Sequence, residues 1–265
     1  SSSTIADASG TGTILDNETT TLLNALTGSN GFSVQSARNG DGLGSGVRNL
    51  GDINGDGFDD FLIGATDDGT TDRAYVIFGN STITSSSNLN ITDLNGSNGF
   101  IISGQGGFSD NLGGNSGHGD INGDGLNDFV IGASGENSNQ GAAYVIFGST
   151  SFGSILDLSS LSSSSGFKVN GLGSSDQFGE TATIIGDING DGLDDLLFGA
   201  SKRDLAIKSD VGATAVIFGA ETITSTASFD ISSLNGSNGF TIAGLNADDQ
   251  FGRYASQIGD INGDG

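Results

Sequence analysis

The stretch GDINGDGFDDFLIGA, residues 51–65, returns as GDINGDGLNDFVIGA at 119–133 and as GDINGDGLDDLLFGA at 186–200. A fourth copy, GDINGDG, occupies 259–265. Each copy joins a polar, acidic, glycine-rich half to an apolar half, so each reads as a tight loop running straight into a strand. The opening aspartates are Asp52, Asp120, Asp187 and Asp260, at intervals of 68, 67 and 73 residues. Other landmarks keep the step: a Gly-Phe pair ends at Phe32, Phe100, Phe167 and Phe240, and VIFG ends at Gly79, Gly148 and Gly219. Self-similarity at a fixed period marks a repeat architecture, in which each unit buries a face against its neighbour.

One period contains four apolar runs. The first leads into the loop (SGVRNLGD), and the second leaves it (DDFLIGA). The third is AYVIFG or TAVIFG, and the fourth is GFIISG, GFKVNG or GFTIAG. Runs two and three are apolar at consecutive positions, the pattern of a strand buried on both faces. A sheet packed between two similar sheets has that property, and the fold class is read as all-β, a β-propeller of four-stranded blades. The competing reading, a row of separate sandwiches, needs more than about 68 residues per unit.

The loop reads D-I-N-G-D-G-x-[DN]-D. Its candidate metal ligands at positions 1, 3, 5 and 9 are Asp52, Asn54, Asp56 and Asp60, then Asp120, Asn122, Asp124 and Asp128, then Asp187, Asn189, Asp191 and Asp195. The backbone carbonyl of position 7 (Phe58, Leu126 or Leu193) is the fifth candidate. The last copy carries Asp260, Asn262 and Asp264 and has no ninth residue. Oxygen donors without His or Cys favour Ca2+ over softer metals. An EF-hand would need Glu at position 12, where this chain has Ile63, Ile131 and Phe198. A turn without an ion explains one Asp-Gly pair, but not like charges gathered at one spacing in three copies. Position 8, which is Asp59, Asn127 or Asp194, reads as merely solvated.

Composition narrows the function. The chain has 265 residues, 47 Gly, no Pro, no Cys and a formal charge of -24 from 32 acids against 8 bases. Nucleic-acid binding, which rests on Lys and Arg, is not expected. No disulfide framework is available, so bound ions are the expected braces. No run of about 18 apolar residues suggests insertion in a membrane. The single His118 sits where the other copies have Leu50, Ile185 and Ile258, and reads as a strand residue rather than a catalytic base. The pairs Asp59-Asp60 and Asp194-Asp195 invite comparison with a glycosidase, but position 9 is already assigned to the ion. No catalytic residue is assigned.

These residues resemble the FG-GAP repeat family, found in integrin α-subunits and many bacterial surface proteins. The FG element stands at Phe178-Gly179 and Phe251-Gly252, with Leu43-Gly44 and Leu112-Gly113 as variants. The GAP element stands at Gly64-Ala65, Gly132-Ala133 and Gly199-Ala200, with Thr or Ser in place of Pro. The resemblance covers about residues 29–265. It implies a propeller, typically seven-bladed, with calcium in the hairpin between the first two strands of a blade. Blades are expected at 43–104, 112–171 and 179–244, with a partial one at 252–265 and an orphan outer strand near 31–36. Three and a half blades imply a segment of a longer polypeptide, or chains that complete one another's sheets. Residues 1–28 are expected to be a linker or the end of a preceding β-sandwich, since 9–18 resembles the close of a Calx-β domain. The expected role is a calcium-stabilised extracellular or cell-surface structural or adhesion protein. Its expected partners are a protein or glycan, or copies of itself assembling into filaments or matrix. The alternatives are a lectin-like module and a non-catalytic part of a secreted hydrolase or lyase.

Overall fold

The apolar runs at consecutive positions become the middle strands of three sheets in the computed structural model of the protein. The structure describes residues 2–7, 10–15, 31–36, 42–65, 73–83, 88–104, 117–225 and 227–256. Contacts divide the chain into two units, Ser1–Gln35 with Thr82–Leu89, and Ser36–Ser81 with Asn90–Gly265.

In the smaller unit, β1 (Ser2–Asp7) and β2 (Gly10–Leu15) form an antiparallel hairpin. The expected orphan strand is present as β3 (Ser33–Gln35), but it has a partner, β7 (Asn88–Asn90).

The larger unit holds the repeats. Its first sheet uses β4 (Leu43–Gly51), β5 (Asp60–Ala65), β6 (Arg73–Ile77) and β8 (Gly99–Ser103). The second uses β9 (His118–Gly119), β10 (Asp128–Ala133), β11 (Ala142–Ile146) and β13 (Gly166–Asn170). The third uses β14 (Thr181–Gly186), β15 (Asp195–Ala200), β16 (Ala213–Ile217) and β18 (Gly239–Ala243). All four strands of each sheet are antiparallel neighbours in chain order. The register repeats as well: Phe61, Phe129 and Leu196 face Ile77, Ile146 and Ile217, while Val76, Val145 and Val216 face Phe100, Phe167 and Phe240. His118 lies in the first strand of the second sheet, opposite Phe129. The fold is nearly all β, with antiparallel sheets of the propeller-blade kind.

Both faces of the middle sheet are covered. Phe129, Ile131, Tyr144 and Ile146 join a core with Leu62, Val76 and Phe100 of the first sheet. Val130, Val145 and Val169 join another with Ile184, Leu196 and Phe198 of the third. Successive residues of β10 therefore point to different neighbours, which is why the strand reads as a continuous apolar run.

Two of the four-stranded sheets carry an addition from the next repeat. A fifth, parallel strand is added to the first sheet by β12 (Ile155–Asp157), which pairs with β8, and to the second by β17 (Ser228–Asp230), which pairs with β13. Each comes from the following repeat, between its third and fourth strands. After it, Asp157 or Asp230 accepts the N–H of Ser159 or Ser232 (2.9 and 2.8 Å) and caps one 3-10 turn. The excursion lays Phe152 flat on Phe100, with ring centroids 4.6 Å apart, and sets Phe229 6.4 Å from Phe167. The apolar seam between sheets thus continues onto their outer strands.

Candidate cation loops

Each D-I-N-G-D-G loop is the turn of its sheet's first hairpin, β4–β5, β9–β10 or β14–β15. The glycines at positions 4 and 6 have φ of +75° and +88°, +81° and +85°, and +79° and +92° in the three loops, backbone that residues with a Cβ seldom adopt. These angles turn N–H groups inward. The position-1 carboxylate accepts three of them: Asp52 from Gly55, Asp56 and Gly57 at 2.7, 3.1 and 2.8 Å. Asp120 and Asp187 do the same within 0.1 Å. These bonds hold the Asp187 carboxyl below the usual carboxylate range, with Gly192 N–H the largest contributor.

The alternate positions continue the pattern. The position-3 oxygen of Asn54, Asn122 or Asn189 accepts the N–H of position 5 at 2.9 Å. The position-5 carboxylate of Asp56, Asp124 or Asp191 accepts the N–H of position 7 at 2.9 Å, from Phe58, Leu126 or Leu193. Position 9 behaves differently. Asp60, Asp128 and Asp195 are buried, at 1%, 0% and 0% exposure. Each ties position 2 of its own loop (Ile53, Ile121 or Ile188) to the glycine two residues past the third strand (Gly79, Gly148 or Gly219), at 2.8–3.0 Å.

The buried acids pair with no basic side chain among the described residues. Burial pushes the Asp60 carboxyl up to about 6 and Asp128 up to about 8, and raises Asp195. The N–H bonds oppose the shift, while the carboxylates at positions 1 and 5 reinforce it. A buried charge ordinarily requires a counter-charge or a metal.

The donor set suits a hard cation, with three carboxylates and an amide oxygen per loop and no nitrogen or sulfur ligand. Among the described residues, however, no three acidic, His or Cys side chains form a group that could hold a metal as they stand. The backbone N–H groups occupy the carboxylates instead. Asp260, Asn262 and Asp264 lie outside the described residues.

Position 8 is not merely solvated, contrary to the sequence reading. Asp194 Oδ2 accepts the N–H of Asp120 at 2.9 Å, and Asp194 N–H donates to the Asp120 carbonyl at 3.0 Å. Asn127 donates its backbone and side-chain N–H groups to the Asp52 carbonyl, at 3.3 and 3.5 Å. The partner lies in the preceding repeat, where no local sequence signal reaches.

Elsewhere, Glu136 accepts from Lys168 Nζ at 2.5 Å and from the Tyr144 hydroxyl at 2.8 Å, beside a cavity of about 230 Å3. The charges in that cluster satisfy one another.

Repeated antiparallel sheets, each with an oxygen-rich loop in its first hairpin, are consistent with propeller blades of the FG-GAP kind. Comparison with known proteins agrees: residues 112–146 match the FG-GAP repeat family model. The mouse (Mus musculus) protein integrin alpha-M is 37% identical over 94 residues, which is 34% of this chain and 8% of that protein's length. Over these residues the chain is similar to FG-GAP repeats and to an integrin α-subunit, and it spans a small part of that relative's length. No helix among the described residues is long and apolar enough to cross a membrane.

Proposed function

We propose that the chain is a calcium-braced, extracellular adhesion-type module without catalytic activity of its own. One observation carries the calcium reading: in three loops, the same buried carboxylate lacks a basic partner and lies in the field of two more acids. A divalent ion held by positions 1, 3, 5 and 9 supplies the missing positive charge. The backbone has the turn shape already, so binding needs the carboxylates to gather rather than the loop to refold. The ion joins the ends of two strands, and its binding energy adds to folding energy.

The surface role rests on the FG-GAP match and on the likeness to an integrin α-subunit. A protein partner at the cell surface fits both. A glycan-binding role has less support, since stacking on sugars needs open aromatic faces. Tyr75 and Tyr144 are buried and Tyr254 alone among the tyrosines is open, at 68% exposure.

The test is calorimetric melting of the metal-stripped chain in chelator and in calcium. At calcium a hundredfold above Kd, each filled site adds ~2.7 kcal/mol, so Tm should rise by roughly 5 °C or more per site. Coincident melting curves in chelator and in calcium would end the calcium reading.

A further inference from the structure

We propose that position 8 is an inter-repeat clasp, through which each cation loop fixes the geometry of the loop before it. The inference rests on the calcium reading above and goes beyond it by assigning a positioning role to Asp194 and Asn127, which are not ligands.

The contact occurs twice and shares one backbone bond, position-8 N–H to position-1 carbonyl. The side chains differ: Asp194 accepts from the Asp120 N–H, and Asn127 donates to the Asp52 carbonyl. Asp194 grips both backbone groups of Asp120, the first ligand residue of the second loop. Asn127 grips the carbonyl of Asp52, the first ligand residue of the first loop. The preceding glycine makes room in each case. A Cβ at Gly119 would lie 2.0 Å from Asp194 Oδ2, and one at Gly51 would lie 2.5 Å from Asn127 Nδ2. Position 2 is held from the same side, its carbonyl accepting an N–H from the following repeat: Ile53 from Ser149 at 2.9 Å, and Ile121 from Ala220 at 3.0 Å. The first two residues of a loop are therefore anchored from outside their own sheet.

This matters for binding because the position-1 carboxylate organises the loop, taking three N–H groups of its own turn. A ligand whose backbone is pinned loses less freedom when it binds. Asp194 also places a carboxylate close to the second loop, so its charge and its hydrogen bond must be separated. An amide separates them: Asn in place of Asp194 keeps an acceptor oxygen for the Asp120 N–H and removes the charge. Asp59 serves as the control. It is exposed, and its side-chain bond is from Asn49 in its own repeat, at 3.5 Å.

The experiment uses the full chain carrying Asp56→Ala, Asp191→Ala and Asp264→Ala, so that only the second loop keeps its full ligand set. Calcium is titrated calorimetrically into this metal-stripped parent and into three further variants. Asp194→Ala should weaken binding about tenfold, the loss of about one charge-assisted hydrogen bond. Asp194→Asn should restore most of the affinity, and Asp59→Ala should leave it unchanged. Equal affinity in the parent and in Asp194→Ala overturns the clasp while leaving the calcium reading intact. A parent that binds no calcium overturns the calcium reading, and the clasp is then judged by hydrogen exchange in chelator. In that readout Asp194→Ala should speed exchange at Gly123, Asp124 and Gly125, and Asp59→Ala should not; equal rates would overturn it.

Discussion

Aspartate takes three roles within nine residues, and environment alone separates them. Asp120 is half-buried and shapes the turn, Asp124 is exposed, and Asp128 is fully buried. Asp128 bridges two N–H groups, those of Ile121 and Gly148. Leaving a buried donor unpaired costs about 1–3 kcal/mol. Asp128→Ala should therefore lower unfolding free energy by roughly 2–6 kcal/mol even in chelator, measured by urea titration. Asp124→Ala, at an exposed position, should cost under about 1 kcal/mol in chelator and weaken calcium binding. Equal losses for the two variants would mean that position 9 has no separate structural role. The spacing made both residues candidate ligands, but it could not tell them apart. What sets position 9 apart is its bond to a glycine just past the third strand, 20 residues downstream.

At the scale of elements, the sequence was legible where a strand is long and covered on both faces. β5, β10 and β15 follow from FLIGA, FVIGA and LLFGA, because two neighbours force consecutive apolar residues. The fifth strands escaped notice for the opposite reason: they are three residues long, with one half-buried residue between two exposed ones. So short an alternation does not stand out from a Ser-rich connection. Their energetic weight can be tested on equivalent phenylalanines. Phe100 and Phe167 meet a ring of the added segment, Phe152 or Phe229, and are fully buried, whereas Phe240 on β18 is 37% exposed. Truncating a buried Phe costs about 3–5 kcal/mol. Phe100→Ala and Phe167→Ala should reach that range, and Phe240→Ala should cost less than half as much by chemical denaturation. Three equal losses would show that the added strands contribute no packing.

For the whole molecule, charge decides how stability depends on pH. The chain carries -24 at neutral pH, but exposed carboxylates among the described residues, such as Asp56, Asp124 and Asp191, are in water and screened. The carboxyls raised by burial, the ninth positions with Asp176 and Asp194, couple to folding in one direction. Asp60 and Asp128 rise from 3.8 to about 6 and about 8, and Asp195 also rises. A group whose pKa is higher in the folded state favours folding below its unfolded pKa, and that contribution is lost as pH climbs through the folded value. Asp157, Asp187, Asp230 and Asp249 are shifted down and act oppositely, but their contribution falls away below about pH 4. The metal-stripped protein should therefore be most stable near pH 4–5, and its Tm should fall steadily toward pH 8. Calcium should invert the slope, because ligand carboxylates must be ionised to bind it and ionisation then favours the folded, loaded state. Scanning calorimetry at pH 4, 5, 6, 7 and 8, in chelator and in calcium, measures both slopes. A Tm that climbs through this window in chelator would mean that the ninth positions are already compensated without an ion. The physical basis for assigning calcium to these loops would then be gone.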